Sequence, residues 1–291
     1  MQWEELEAHS VGTYEVTRHN LTKAVEIVWN DMRTVCDLPE SPSIDIAYDE
    51  ALAGKHVLGY ASRTMFLQGD VWVSSIFFEN VDNVDITIRI NPKVPNGWHW
   101  SPTGSCDIGW RYDLRTAILH ELLHGVGISS SISESSVGYS LGNHCYVTMF
   151  DSQIEGDQGK AIHNCILRPS TVYTVGGIPL YTPKIHNSGS SFSHHNQPGK
   201  PMHYSIPPRQ CLEIGPSEVA IMGALGVECR LQETLQETLQ ETLQETLQET
   251  LQEKSEDVVP TMSQTSSDGR PLPGMWIWIL CILVLLKTIR N

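Results

Sequence analysis

Apolar residues recur at helical spacing in three segments of the chain. In LTKAVEIVWNDMRTV, Leu21 to Val35, apolar positions three and four apart form one face of an amphipathic helix. DLRTAILHELLHGVG begins at Asp113, an acidic residue suited to capping a helix, and ends where Gly125 and Gly127 allow left-handed backbone geometry. A similar pattern recurs in PSEVAIMGALG. The sequence therefore predicts three helices.

Alternating or β-branched positions, bounded by Gly, Asn and Pro, predict strands between these helices. The predicted strands are GTYEVTRH from Gly12, SIDIAYD from Ser43, HVLGYASR from His56 and VDITIRINP from Val84. A long stretch rich in Gly, Ser and Pro, from Ser129 to Pro201, separates the second and third helices. Mixed strands and helices of this kind predict an α+β domain.

The composition changes at Leu231, where an LQET repeat begins. A Ser/Thr/Pro-rich stretch follows, and then MWIWILCILVLLKTIRN. We therefore place one domain at 1–230, a stalk at 231–274 and an apolar segment at 275–291. A period of four advances by about 40° per repeat on a helix of 3.6 residues per turn, so no apolar stripe persists. The repeat predicts an extended or weakly helical stalk rather than a coiled coil.

The apolar segment predicts a membrane anchor. Its apolar run, Met275 to Leu286, is about twelve residues long and is followed by Lys287 and Arg290. This is shorter than the roughly twenty residues of a typical spanning helix, so a short transmembrane anchor and a lipid-anchor signal both remain open. The first ten residues show no signal-peptide pattern.

The cysteines indicate the compartment of the protein, and its net charge bears on its partners. Cysteines in 1–230 form no CxxC pair, which favours up to three disulfides and an oxidising compartment. They are Cys36, Cys106, Cys145, Cys165, Cys211 and Cys229. The formal net charge of -15 argues against a nucleic-acid partner, because phosphate contacts require clustered Lys and Arg.

The segment LHELLHGVG contains a zinc-binding pattern. His120 and His124 lie four apart on a predicted helix, about 5–6 Å from one another on one face, so both rings can bind one zinc ion at about 2.0–2.1 Å. In HExxH proteases the glutamate, here Glu121, takes a proton from zinc-activated water and passes it to the leaving amine. The motif predicts one catalytic Zn²⁺ ion.

A catalytic zinc site needs a third protein ligand, which the motif does not supply. Glu134, Glu155 and Asp151 are acidic candidates outside any ligand pattern, and Ser130 would be a poor zinc ligand. The other candidates are the downstream histidines His144, His163, His186, His194, His195 and His203. The residues alone leave this choice open.

HELLHGVG resembles the HExxHxxG motif of the metzincin clan of zinc endopeptidases, in which Gly127 would mark the turn after the active-site helix. Most metzincins place the third histidine where this chain has Ser130. The leishmanolysin-like family instead has a long insertion, an SH dipeptide and then a methionine in a tight turn under the zinc. The segment GSSFSHHNQPGKPMHYS of this chain contains such an SH dipeptide and a methionine. The resemblance therefore implies His194 as the third zinc ligand, with His195 as the alternative ligand, and Met202 as the methionine of the turn.

The resemblance extends over much of 1–230. It implies an α+β metzincin-like domain with a twisted, mostly parallel sheet, an active-site helix and an irregular C-terminal subdomain closed by PSEVAIMGALG. The interval from His194 to Met202 is shorter than in leishmanolysin itself. Cys36 resembles the inhibitory cysteine of some metzincin prosegments, but it follows the predicted first helix of the domain itself, so we expect a disulfide there.

The motif and the resemblance together predict a zinc-dependent endopeptidase that hydrolyses peptide bonds in proteins, with Glu121 as general base. The alternative is a non-catalytic, membrane-tethered binding or adhesion module of the same shape, for which Glu121 would have no chemical use. Expected partners are protein or peptide substrates, and a membrane contacted through 275–291. We expect 1–230 to lie outside the cell or in a lumen.

Overall fold

The computed structural model describes residues 18–78, 83–135, 138–141 and 145–230, all within one compact unit, Met1–Glu237. The predicted strand GTYEVTRH lies outside these residues except for Arg18 and His19, which begin a helix instead. The predicted stalk and apolar segment, 231–291, also lie outside them. Within the described residues, no helix is both long enough and apolar enough to cross a bilayer.

The first part of the unit ends with the helix that carries the zinc-binding pattern. Its elements are α1 (Arg18–Val35), β1 (Ile44–Tyr48), β2 (Gly59–Arg63), β3 (Met65–Gln68), β4 (Val71–Ser74), β5 (Ile86–Ile90), β6 (Trp98–His99), β7 (Tyr112–Asp113) and α2 (Leu114–Val126). Strands predicted at Ser43, His56 and Val84 correspond to β1, β2 and β5, so these predictions are confirmed to within a few residues.

The main sheet has the order β1-β5-β2. Its central strand is β5, in which Ile86, Ile88 and Ile90 are fully buried. Helices α1 and α2 pack against the sheet and against each other. In α1 the apolar positions predicted from the sequence, among them Leu21 and Met32, form the buried face.

The prediction of a mostly parallel sheet is wrong for the described strands. β1 runs parallel to β5, but β2 runs antiparallel to it. β2 and β3 are separated only by Thr64, and β4 then pairs antiparallel with β3. The two-residue turn at Gly69 and Asp70 thus reverses the chain between β2 and β5.

The second part of the unit consists of small sheets and short helices. Its elements are β8 (Ser133–Ser135), β9 (Gly138–Ser140), α3 (Met149–Gln153), β10 (Glu155–Gly156), β11 (Gly159–Lys160), β12 (Ile162–His163), β13 (Ile166–Leu167), β14 (Thr174–Val175), β15 (Ile178–Pro179) and α4 (Pro216–Ala224). Helices and strands are therefore mixed throughout, which confirms the α+β prediction.

Three disulfides connect distant parts of the unit, as the cysteine count predicts. Cys36 and Cys229 join the residue after α1 to the segment after α4. The other two bonds are Cys106–Cys211 and Cys145–Cys165. Cys36 is therefore a structural cysteine, as expected from its place after the first helix.

Candidate metal centre

Helix α2 begins and ends as the sequence predicts. The carboxylate of Asp113 accepts hydrogen bonds from the amide of Thr116 over 2.9 Å and from its hydroxyl over 2.7 Å, so Asp113 caps the helix. Gly127 ends it with φ of 145°, a backbone conformation that side chains disfavour. Between them Leu114, Ile118 and other apolar residues are buried, which fixes the helix in the core.

The end of α2 is held by the strands beside it. The Arg63 guanidinium donates to the carbonyls of His124 and Ser129, over 3.2 and 3.3 Å. The Ser74 hydroxyl donates to the carbonyl of Gly125 over 3.0 Å. These donors satisfy carbonyls that have no partner within the helix, and the positive charge lies at the negative end of its dipole. The position of His124 is thereby fixed.

Three imidazole rings converge beside α2. The Nε2 atoms of His120 and His124 lie 3.1 Å apart, and that of His194 lies 3.0 Å from the first and 3.2 Å from the second. His194 is buried, and the other two are half-buried. Among the described residues, this is the one group of three or more His, Cys, Asp or Glu side chains with ligand atoms within 4.8 Å of one another.

The second nitrogen of each ring fixes its tautomer. Each Nδ1 lies at hydrogen-bond distance from a backbone carbonyl, and a carbonyl only accepts, so each Nδ1 carries the proton and each Nε2 a lone pair. The distances are 2.7 Å from His120 to Pro201, 2.6 Å from His124 to Ile128 and 2.9 Å from His194 to Ser190. Three lone pairs at this separation repel one another unless a cation lies among them.

The donor set fits a zinc ion. Tetrahedral coordination with bonds of about 2.0–2.1 Å places ligand atoms about 3.3–3.4 Å apart, close to the observed separations. Metal-binding histidines usually donate their other ring N–H to a carbonyl or carboxylate, as all three do here. The residues present therefore suit a metal ion bound by three neutral imidazoles.

Burial keeps these imidazoles neutral. It lowers the pKa of His120 to about 4, against the opposing effect of the Pro201 carbonyl. It likewise lowers the pKa of His194 to about 3. Burial is also the main cause of the lowered pKa of His124, to which the other two rings add. At neutral pH the Nε2 lone pairs are thus available to a metal.

Glu121 directly follows His120 on α2, and one oxygen of its carboxyl group has no hydrogen-bond partner. Its side chain is 4% exposed, and Oε2 has no hydrogen-bond partner. Burial raises the pKa of Glu121 to about 8. A cation bound by the neighbouring imidazoles would place a positive charge near this carboxyl group and so favour its ionised form.

Gly59 leaves room for that carboxyl group. A Cβ atom at Gly59 would lie 3.2 Å from Oε1 of Glu121 and 2.8 Å from the carbonyl of Arg89. Any larger residue at the start of β2 would press on both. The sequence pattern gave no signal for this contact, because Gly59 lies inside a predicted strand.

The structure places His194, and not His195, in the cluster. His195 is fully buried, and its Nε2 lies 2.9 Å from Oε1 of Glu218, which is also fully buried. Met202 is fully buried as well, and the carbonyl of the preceding Pro201 contacts His120. Met202 therefore directly follows a residue whose carbonyl contacts one of the three imidazoles.

The other described candidate ligands lie outside the cluster. Asp151 is buried and accepts hydrogen bonds from the hydroxyls of Ser130 (2.6 Å), Ser131 (2.6 Å) and Thr148 (2.8 Å), which makes it a structural residue. His144 lies outside the described residues. Besides Ser130, Asp151 and His195, the described candidates outside the cluster are Glu134, Glu155, His163, His186 and His203.

Sequence reasoning missed Glu218 as part of this region. Its position at N3 of α4, after Pro216 at N1, is a helix-start signal. That signal predicts the helix but not the contact with His195, because the two residues lie 23 positions apart.

Comparison with known proteins gives no match, either to a protein-family model, to a curated protein or to a solved structure.

Proposed function

We propose that this chain is a zinc-dependent endopeptidase of the leishmanolysin-like metzincin type. The observation that carries the proposal is the convergence of three Nε2 atoms within 3.0–3.2 Å, each on a ring whose Nδ1 is held by a carbonyl. The buried carboxyl group of Glu121, which follows His120 and has one oxygen without a partner, supports the same function.

His120, His124 and His194 would hold the metal. A zinc ion bound there would supply Lewis acidity, polarising the scissile carbonyl and lowering the pKa of a water molecule. Glu121 would act as the general base, taking a proton from the attacking water and then delivering it to the leaving amine. The buried position of Glu121 limits exchange of this proton with solvent.

The place proposed for the substrate is the free edge of β2. Among the described strands of the main sheet, β2 is an edge, and Gly59 at its start lies against Glu121. An extended peptide pairing with this edge would use the backbone donors and acceptors that β5 leaves unused. This would bring a peptide bond close to the general base.

The test combines zinc stoichiometry with casein cleavage on the purified full-length chain. We expect the wild type to bind one zinc ion and to cleave in a chelator-sensitive manner. Glu121→Gln should keep zinc and lose about 10²–10⁴-fold in rate, the usual contribution of a general base. His194→Ala should lose both, whereas His163→Ala, a matched change of an exposed histidine outside the cluster, should lose neither.

A wild type without zinc, or one that binds zinc without chelator-sensitive cleavage, would contradict the proposal. The second result would favour the binding or adhesion module.

The disulfides support the proposed surroundings of the enzyme. Three disulfide bonds fit an oxidising compartment, which supports an extracellular or lumenal domain that acts on proteins or peptides. Attachment to a membrane through 275–291 stays a prediction, as does the absence of a nucleic-acid partner.

A further inference from the structure

Glu218 lies on α4, outside the three-histidine cluster, and its carboxylate is fully buried. Oε1 accepts hydrogen bonds from Nε2 of His195 over 2.9 Å and from the amide of Met202 over 3.2 Å. Oε2 accepts from the amide of Gly215, the residue that caps α4, over 3.2 Å. A single carboxylate thus joins the start of α4 to both ends of the loop 195–202.

Each end of that loop leads to one imidazole of the cluster. His195 directly follows His194. Met202 directly follows Pro201, whose carbonyl contacts Nδ1 of His120 over 2.7 Å. The loop is also closed on itself, because the amide of His195 donates to the carbonyl of Met202 over 3.0 Å. When both ends of the loop are held, the position of His194 and the orientation of the His120 ring are fixed.

The third imidazole is held independently of this loop. Nδ1 of His124 contacts the carbonyl of Ile128, in the turn that follows α2, over 2.6 Å. The Arg63 guanidinium donates to the backbone carbonyl of His124. The contacts of Glu218 therefore bear on two of the three rings.

We propose that Glu218 is a positioning residue for the metal centre, holding the imidazoles of His194 and His120 in the zinc-binding arrangement through His195 and Met202. This inference rests on the proposed zinc site. A carboxylate suits the role because its two oxygens accept three donors, and because a negative charge in the first turn of α4 is stabilised by the helix dipole. An amide at this position would direct N–H groups toward other N–H groups.

The experiment measures zinc affinity by competition with a chromophoric chelator on the full-length chain. We expect Glu218→Gln to weaken zinc binding by about 10–100-fold, the usual effect of removing a group behind a metal ligand. The matched control is Asp85→Asn. Asp85 is a buried carboxylate too, accepting from the amide of Ser43 over 2.9 Å and the hydroxyl of Ser75 over 2.6 Å. The control should lower stability and leave zinc affinity within about twofold of wild type.

The visible spectrum of the Co²⁺-substituted protein supplies a second readout, because it reports ligand geometry rather than stability. We expect it to change in Glu218→Gln and to stay unchanged in Asp85→Asn. Zinc affinity and a Co²⁺ spectrum in Glu218→Gln equal to those of the control would overturn the proposal. If Glu218→Gln does not fold, Glu218→Asp, which keeps the charge and shortens the side chain, decides by the same criteria.

Hydrogen exchange on the wild type requires no variant. Zinc should slow exchange of the Gly215 amide, which lies across Glu218 from the cluster, more than it slows the Ser43 amide; equal slowing would overturn the proposal. A wild type that binds no zinc overturns the proposed function together with this inference. A wild type that binds zinc no more tightly than the Glu218 variants overturns the positioning role alone.

Discussion

The backbone amide of Ser130 donates a hydrogen bond to the hydroxyl of Ser193 over 3.0 Å. Ser130 stands where most metzincins carry their third histidine, and Ser193 directly precedes His194. The turn that leaves α2 is thus fastened to a segment 63 residues further along the chain, which returns with the third imidazole. The hydrogen bond therefore holds the segment that carries His194 next to the turn that follows His124.

We expect Ser193→Ala to weaken zinc binding, because it removes this link next to His194. Loss of one hydrogen bond should also lower the free energy of unfolding by about 1 kcal/mol. The measurements are urea unfolding and chelator competition. Ser101→Ala is the matched control, because the buried Ser101 hydroxyl also accepts from a backbone amide, that of Ser105, over 3.0 Å. Equal zinc affinity in the two variants would contradict the role given to Ser193.

The raised pKa of Glu121 predicts how the stability of the zinc-free protein depends on pH. With a pKa of about 8 when folded, and an ordinary value near 4.5 when unfolded, the carboxyl group stays protonated only in the folded state between these values. Its contribution is present at low pH and is lost as pH rises through 8. Between pH 6.5 and 8 this carboxyl group alone should lower the free energy of unfolding by up to roughly 1.4 kcal/mol per pH unit.

Urea unfolding of chelator-treated protein at pH 6.5 and 8 tests this dependence. In that window the three imidazoles are neutral in the folded state but still bind protons near pH 6.5 when unfolded, so they oppose the Glu121 slope near pH 6.5, to the same extent in the wild type and in a Glu121 variant. Glu121→Gln should remove the Glu121 part of the slope, so the stability of this variant relative to the wild type should increase from pH 6.5 to pH 8. A slope of the same size in that variant would show that another group causes it.

Two glycines in helices should respond oppositely to alanine. A Cβ atom on Gly125 in α2 would lie 2.5 Å from Cγ2 of Ile86, so Gly125→Ala should destabilise the fold by about 1–3 kcal/mol through overpacking. On α4, a Cβ atom on Gly223 would meet nothing within 4 Å, so Gly223→Ala should stabilise by up to about 1 kcal/mol. Thermal unfolding distinguishes the two.

The clash at Gly125 has a compensating change. Ile86→Ala removes the atoms that the new Cβ atom would meet, so the double variant should lose less stability than the two single variants combined. Simple additivity would indicate a cause other than this contact.

The longest disulfide loop should contribute most to stability. Cys36 and Cys229 lie 193 residues apart, whereas Cys145 and Cys165 are separated by 20. In the chain-entropy description a longer loop restricts the unfolded chain more, so replacing the first pair with serine should cost about 5 kcal/mol and replacing the second about 3 kcal/mol. Denaturant unfolding under non-reducing conditions measures both, and the reverse order would contradict the entropic account.

Local sequence signals were sufficient to predict features that depend on a single helix or strand. Asp113 and Gly127 marked the ends of α2, and the spacing of His120 and His124 placed both rings on one face. Gly69 and Asp70 between two short apolar runs also carried a hairpin signal, which the strand predictions overlooked.

Contacts between distant segments were beyond such signals. Six cysteines allow fifteen pairings, and nothing in their spacing selects the observed one. Residue types alone left the third histidine open, and only resemblance to a known motif singled out His194. The bond between His195 and Glu218 depends on how α4 packs under the loop, which no local pattern encodes.

The disulfide Cys36–Cys229 also affects which part of the domain would bear a mechanical force applied to the chain at Arg230. Arg230, the next residue, donates its amide to the carbonyl of Val35 over 2.9 Å, so the chain leaves the domain beside the end of α1. A pull on the chain beyond Arg230 reaches the covalent bridge to α1 before it reaches α4. Tension applied at Arg230 would thereby be borne by the Cys36–Cys229 bridge and α1 rather than by the loop 195–202.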